Sequence, residues 1–241
     1  MSRGEVATDS YRIPDPPRLL GALRQSLSDF YFNSWRLVPA NLVWGLGVVL
    51  AFIAVTASAP IFLLAVPLLG LPTVGLFRMA ALIVRGQSVA LSDAFDAWRR
   101  YFGPALGGAL VATLATTALT VNFVFGSTSN SFVGWTIATV AGWSLVALWT
   151  GMLCFWPLLV DPLRPEMTLR ERVRLAVVLP IAHPLRLGIM ALIIGVLMAV
   201  STVLFAALLT IALAYSSLVA CRYVLPAADR FEGRATHQVP S

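Results

Sequence analysis

NLVWGLGVVLAFIAVTASAPIFLLAVPLLGLPTVGLFRMAALIVRG, residues Asn41 to Gly86, carries one charge, Arg78, before its closing Arg85. Residues 37–77, the 41 positions between Arg36 and Arg78, carry none. As one helix rising about 1.5 Å per residue they would extend roughly 60 Å, against a bilayer hydrocarbon core of roughly 30 Å. The stretch therefore reads as two crossings. Pro60 marks the division, because proline is tolerated in the first turn of a helix, where its missing N–H has no intrahelical partner. The expected spans are 39–59 and 61–84, the second interrupted by Pro67, Gly70 and Pro72.

The same reasoning extends outward. No charge falls between Arg100 and Asp161 or between Arg186 and Arg222. Each gap exceeds one crossing, so the economical count is six transmembrane helices. Composition agrees: 59% of the 241 residues are apolar, 12% are charged and the mean hydropathy is +0.84. Soluble domains carry about 25% charged residues. The expected fold class is all-α, a polytopic membrane helix bundle with short amphipathic helices on the cytoplasmic side. The alternating short segments of a β-barrel are missing.

All 17 basic residues are arginine. Without lysine the chain has no Walker A phosphate loop, pyridoxal Schiff base or lysine general base. The net charge of +6 sits in short segments flanking the spans, which is the positive-inside pattern. Anionic lipid headgroups are the expected counter-charge, and nucleic acid is not an expected partner. The arginine distribution and the even span count place both termini in the cytoplasm of a multi-pass cell-membrane protein. Cys154 and Cys221 lie in apolar runs and read as small buried residues. With two histidines and no paired carboxylates within the spans, no enzyme activity, metal or cofactor is expected.

In chain order, residues 1–18 read as a disordered cytoplasmic tail, 19–226 as one transmembrane helical domain and 227–241 as a second cytoplasmic tail. Leu20, Leu23, Leu27 and Phe30 recur at helical spacing, so 19–35 is either an interfacial amphipathic helix or the lead-in of a long first span. A surface helix is expected over 87–102, N-capped by Ser92, with Phe95, Trp98 and Phe102 on one face. The third span (105–125), an external loop (126–131) and the fourth span (133–159) follow. Thr168-Leu169-Arg170-Glu171 matches a capping box that opens a second surface helix. The last spans are expected at 186–203 and 205–225, with Ser201-Thr202 as the turn.

Several of these segments resemble the YesL-like family of bacterial integral membrane proteins. The likeness rests on Asn41-Leu42-Val43-Trp44, the Pro67 to Pro72 break, Leu76-Phe77-Arg78, Arg85-Gly86, Asp93 to Phe102, Phe155-Trp156-Pro157-Leu158-Leu159 and Ala182-His183-Pro184. The sequence departs from the pattern at Gly70, where threonine is common, and in a more basic 98–100 stretch. The resemblance implies a six-helix bundle associated with carbohydrate uptake. It names no catalytic residues.

Two sets of residues stand out as sites. Asn41, Pro67, Gly70, Pro72 and Arg78 are candidates for substrate or partner contact, because a broken helix and an intramembrane charge are rare and often functional. Trp98, Arg99, Arg100, Arg170 and Arg174 are candidates for docking a cytoplasmic partner such as a subunit of an ABC importer. The first set would serve an autonomous small-solute transporter or channel. The second would serve an auxiliary subunit that scaffolds or regulates carbohydrate uptake, which is the leading expectation. Oligomeric state is left open.

Overall fold

The computed structural model describes residues 19–233, and every regular element among them is helical. The tail assigned to 1–18 and the part of the C-terminal tail beyond 233 lie outside the described residues. The helices are α1 (Leu19–Ala57), α2 (Ala59–Leu68), α3 (Gly70–Val84), α4 (Ser92–Arg100), α5 (Phe102–Thr128), α6 (Phe132–Val160), α7 (Leu169–Ala182), α8 (Pro184–Val203), the short α9 (Phe205–Ala207), a π-helical turn (Leu208–Ala212) and α10 (Leu213–Phe231). Six stretches are long and apolar enough to cross a membrane: Leu19–Ala54, Leu63–Val84, Phe102–Thr128, Phe132–Val160, Pro184–Val203 and Phe205–Phe231. The chain is a multi-pass membrane protein, an all-α bundle.

α10 and α3 form the centre. Leu218, Val219, Ala220, Cys221, Tyr223, Val224 and Leu225 of α10 are buried, as are Val74 to Phe77 and Met79 to Leu82 of α3. α1, α6 and α8 close around them with Trp44, Trp156 and Met190, and Phe77 stacks on Trp156 at 6.3 Å between ring centroids. Both cysteines are buried in this core. The outer faces of the spans expose Leu, Val, Phe and Trp side chains, as helices in contact with lipid do.

The lead-in and the first span form one helix, with Pro39 inside it. Tyr215 Oη donates to the Leu23 carbonyl at 3.2 Å, while the neighbouring Ala214 N–H donates to Asn41 Oδ1 at 2.8 Å. In a straight helix Leu23 and Asn41 would be about 27 Å apart, beyond the reach of two adjacent residues. α1 therefore bends between them, at the proline that leaves the Trp35 carbonyl without its helical donor. The bend brings the lead-in against α10, where Arg222 Nε donates to Asp29 at 2.6 Å and Phe30 meets Tyr215 edge-on.

Local signals decide most boundaries. Ser58 caps α2, accepting from the Ile61 N–H, with proline in the first turn. The Thr168–Glu171 capping box forms as the spacing predicts. Four expectations are corrected. Ser92 is not the cap of α4 but its first residue; Leu91 takes the cap position, the Asp93 carboxylate accepts from the Ala90 N–H at 2.7 Å, and the helix covers Ser92–Arg100 rather than 87–102. α5 continues through Thr128, and the turn to α6 tightens to Ser129–Ser131 with Asn130 at φ 44°. The last turn falls at Leu204 rather than Ser201-Thr202, because both of these continue α8 and the Thr202 hydroxyl bonds back to the Met198 carbonyl. α10 also runs past 226 to Phe231.

Candidate functional site

α3, α6 and α10 all end on the same Arg-rich side, and each supplies a charge. Arg85 follows α3, directly before the left-handed Gly86 (φ 69°). Asp161 follows α6, and Pro162 prevents that helix from continuing. Arg164 lies in the turn that joins α6 to α7, and Asp229 lies in the last turn of α10. Arg85 donates to both Asp161 oxygens, at 3.1 and 2.6 Å, and to both Asp229 oxygens, at 2.6 and 3.2 Å. Arg164 donates to Asp161, to Asp229 Oδ1 at 2.6 Å and to Glu232 Oε2 at 3.1 Å. Arg164 is 2% exposed and Asp161 1%, so these are desolvated, bidentate ion pairs of the kind in which geometry decides the energy.

Next to this cluster, two more arginines close the C-terminal end of α6. Its last carbonyls have no intrahelical donor and carry the negative end of the helix dipole. Arg172 of α7 donates to the Leu158 carbonyl at 3.0 Å and to that of Leu159, and also to the Arg164 and Met167 carbonyls at 2.5 and 3.0 Å. Arg78 of α3 donates to the Val160 carbonyl at 2.7 Å. Arg78 thus spends its charge on a helix end.

The environment sets the titration. Burial alone would raise the Asp161 carboxyl, but Arg85, Arg164 and the Leu163 N–H outweigh it and hold the group below the usual carboxylate range. Burial opposes the Arg85 charge in turn, and the hydrogen bonds that it donates to Asp229 and Asp161 overcome it and raise its pKa above the ordinary arginine value. Arg172, whose hydrogen-bond acceptors above are carbonyls, is pushed down by burial. Because the folded pKa of Asp161 lies below the unfolded value of about 3.9, its stabilising effect is complete above that value and is lost as pH falls through the folded one. The melting temperature of the solubilised chain should stay flat from about pH 8 to about pH 5 and fall below about pH 4. Asp161→Asn should fall less steeply, having no carboxyl to protonate there.

Asn41 anchors a different place. Its amide donates to the Leu208 and Leu209 carbonyls at 3.0 and 2.8 Å, and its oxygen accepts from the Ala214 N–H at 2.8 Å. A π turn wraps one extra residue, which leaves groups at its edges out of the α-helical ladder. Asn41 supplies their partners. The two backbones almost touch here: a Cβ on Gly45 would lie 2.8 Å from Leu209 Cα.

The second-span break falls at Leu69, within the Pro67 to Pro72 stretch. The Leu69 carbonyl accepts both the N–H and the hydroxyl of Thr73, at 3.1 and 2.7 Å. Pro67 is buried inside α2 and Pro72 lies in the first turn of α3. A Cβ on Gly70 would lie 2.7 Å from the Ala105 carbonyl oxygen and 2.8 Å from Ala109 Cβ, so the break is pressed against α5. Gly70→Ala should cost about 1–3 kcal/mol by overpacking. Gly107→Ala, with nothing within 4 Å of the new carbon, should be neutral or gain up to about 1 kcal/mol. Thermal melts of both variants test this contrast.

Asn41, Gly70 and Arg78 therefore serve three separate contacts: to the π turn, to α5 and to the end of α6. Of the docking candidates, Arg99, Arg100, Arg170 and Arg174 are exposed, while Trp98 is half-buried with its indole nitrogen against Gly75. The sequence reading missed Asp161, Arg164 and Asp229 as a unit. The one available signal was that acidic groups recur at the Arg-rich ends of the fourth and sixth spans. Among the described residues no group of three or more His, Cys, Asp or Glu side chains is arranged to hold a metal ion. Comparison with protein-family models, curated proteins and solved structures gives no match for this chain.

Proposed function

We propose that this chain is a non-enzymatic membrane subunit auxiliary to carbohydrate uptake, scaffolding or regulating an ABC-type importer from the cytoplasmic side of the cell membrane. The observation that carries this reading is the division of labour among the arginines. Those near the span ends, Arg78, Arg85, Arg164 and Arg172, are consumed in tying α3, α6, α7 and α10 together. Arg99, Arg100, Arg170 and Arg174, on the two surface helices, remain exposed. A rigid base with exposed charged helices suits docking. The groups that a transport path of its own would use, Asn41, Gly70 and Arg78, are satisfied by internal contacts. The positive-inside pattern supports the cytoplasmic orientation, and the YesL-like resemblance supports the carbohydrate association.

Mild extraction of the chain from its native membrane should bring importer subunits with it, and deletion should reduce sugar uptake. Reversing both charges on α7, with Arg170→Glu and Arg174→Glu, should release those subunits without lowering the melting temperature. Extraction without any importer subunit, together with unchanged uptake on deletion, would sink the proposal. Solute flux through liposomes containing this chain alone would instead establish an autonomous transporter.

A further inference from the structure

α1, α3 and α4 leave an apolar crevice of about 90 Å³ between them, lined by Pro39, Ala40, Val43, Pro72, Phe95 and Trp98 among others. It is large enough for a few methylene groups, and its walls are hydrocarbon. It exists because α1 bends at Pro39 while α4 is held close to α3 through Ala94 and Trp98, both against Gly75. Val43 and Phe95 are 41% and 45% exposed, so the crevice opens on the outer flank of the bundle.

Arg36 lies one turn before Pro39 and Ala40 on the same face of α1, at the Arg-rich end. Its guanidinium rests 4.3 Å from the centre of the Trp35 ring, and its buried Nε donates no hydrogen bond. This sets it apart from Arg78, Arg85, Arg164 and Arg172, which all donate to carbonyls or carboxylates. That nitrogen is enclosed by the protein, but the guanidinium as a whole makes no ion pair within the described residues, and an anion from outside the chain could match it at the terminal nitrogens. An apolar slot facing the hydrocarbon with an unmatched cation at headgroup level is complementary to a molecule that joins an acyl chain to a negative phosphate.

We propose that this crevice seats a short segment of one acyl chain of an anionic glycerophospholipid whose phosphate accepts from Arg36. The site does not depend on the importer reading. It is tested by offering the purified full chain phosphatidylglycerol and phosphatidylcholine with identical acyl chains and counting retained lipid by native mass spectrometry. The wild-type chain should retain phosphatidylglycerol about fivefold over phosphatidylcholine, the factor that one surface arginine supplies. Arg36→Gln should bring that ratio close to one, whereas Arg99→Gln should leave it unchanged. Val43→Trp, which fills the crevice, should abolish retention of both lipids.

Equal retention of the two lipids by the wild-type chain overturns the proposal, and that measurement requires no variant to fold. So does a preference that survives Arg36→Gln, or one that Arg99→Gln removes equally, since the attraction would then be diffuse. Efficient cross-linking of Val43→Cys to a second copy in the membrane would assign the crevice to oligomerisation instead.

Discussion

Asp161→Asn should lower the stability of the solubilised chain by about 3–5 kcal/mol, because it leaves Arg85 and Arg164 buried with one carboxylate fewer between them. The loss comes from the stranded charges more than from the value of the pairs themselves. Two buried guanidiniums that share Asp161 and Asp229 cannot both be neutralised by Asp229 alone, and Glu232 reaches only Arg164 among the hydrogen bonds described above. A second change shows this directly. Arg164→Leu added to Asp161→Asn removes one stranded cation, so the double variant should melt above the sum of the single losses, with a coupling of about 0.5–3 kcal/mol. Thermal melts of the four proteins in one detergent measure it. If Asp161→Asn melts like the parent, water screens the cluster and it does not hold the helix ends.

The second large effect is expected at Asn41. Asn41→Leu keeps the volume but leaves the Leu208 and Leu209 carbonyls and the Ala214 N–H without their partner in a buried, apolar setting. Each orphaned group costs about 1–3 kcal/mol, while hydrogen bonds between helices in membranes average nearer 0.6. A net loss of about 2–3 kcal/mol is expected. A rescue follows from helix geometry: a π turn holds one residue more than an α turn, so deleting Thr210 restores an α-helical ladder while the helices on either side keep their phase. The deletion should recover stability in the Asn41→Leu background and cost stability in the parent. A deletion that harms both equally would mean that Asn41 does not support the π turn.

The charge-free gaps revealed six crossings because the bilayer imposes a one-dimensional rule: a fixed thickness and a penalty for charge. The Thr168 capping box was equally readable, since its partner is three residues away. Ser92 misled because it lies inside the first turn, while Asp93, next to it, accepts from the Ala90 N–H ahead of the helix. The site was largely hidden. Arg85 and Asp161 are separated by 76 positions, and Arg85 and Asp229 by 144. Seen singly, each looks like a charge that marks the end of a span. Arg78 could be noticed for its depth, but its partner, the Val160 carbonyl, is a backbone atom that no residue code announces. The π turn lacks a local signal for a similar reason, since what sustains it is an amide in a helix some 170 positions earlier.

The position of α10 at the centre of the bundle has a consequence for assembly. The most enclosed helix is also the last of the six to leave the ribosome, as synthesis runs from the N-terminus. Until Leu213–Phe231 arrives, the faces of α1, α3 and α6 that close on α10 lack their largest shared partner, and Arg85 and Arg164 have only Asp161 between them. The first five crossings can pair with one another, as α5 does with α6, but the place that α10 fills between α1, α3 and α6 is completed last. Asp229, near the end of α10, brings the carboxylate that completes the cluster, so a chain halted before it would present its insertion machinery and quality-control proteases with an unfinished bundle in which two arginines share one carboxylate.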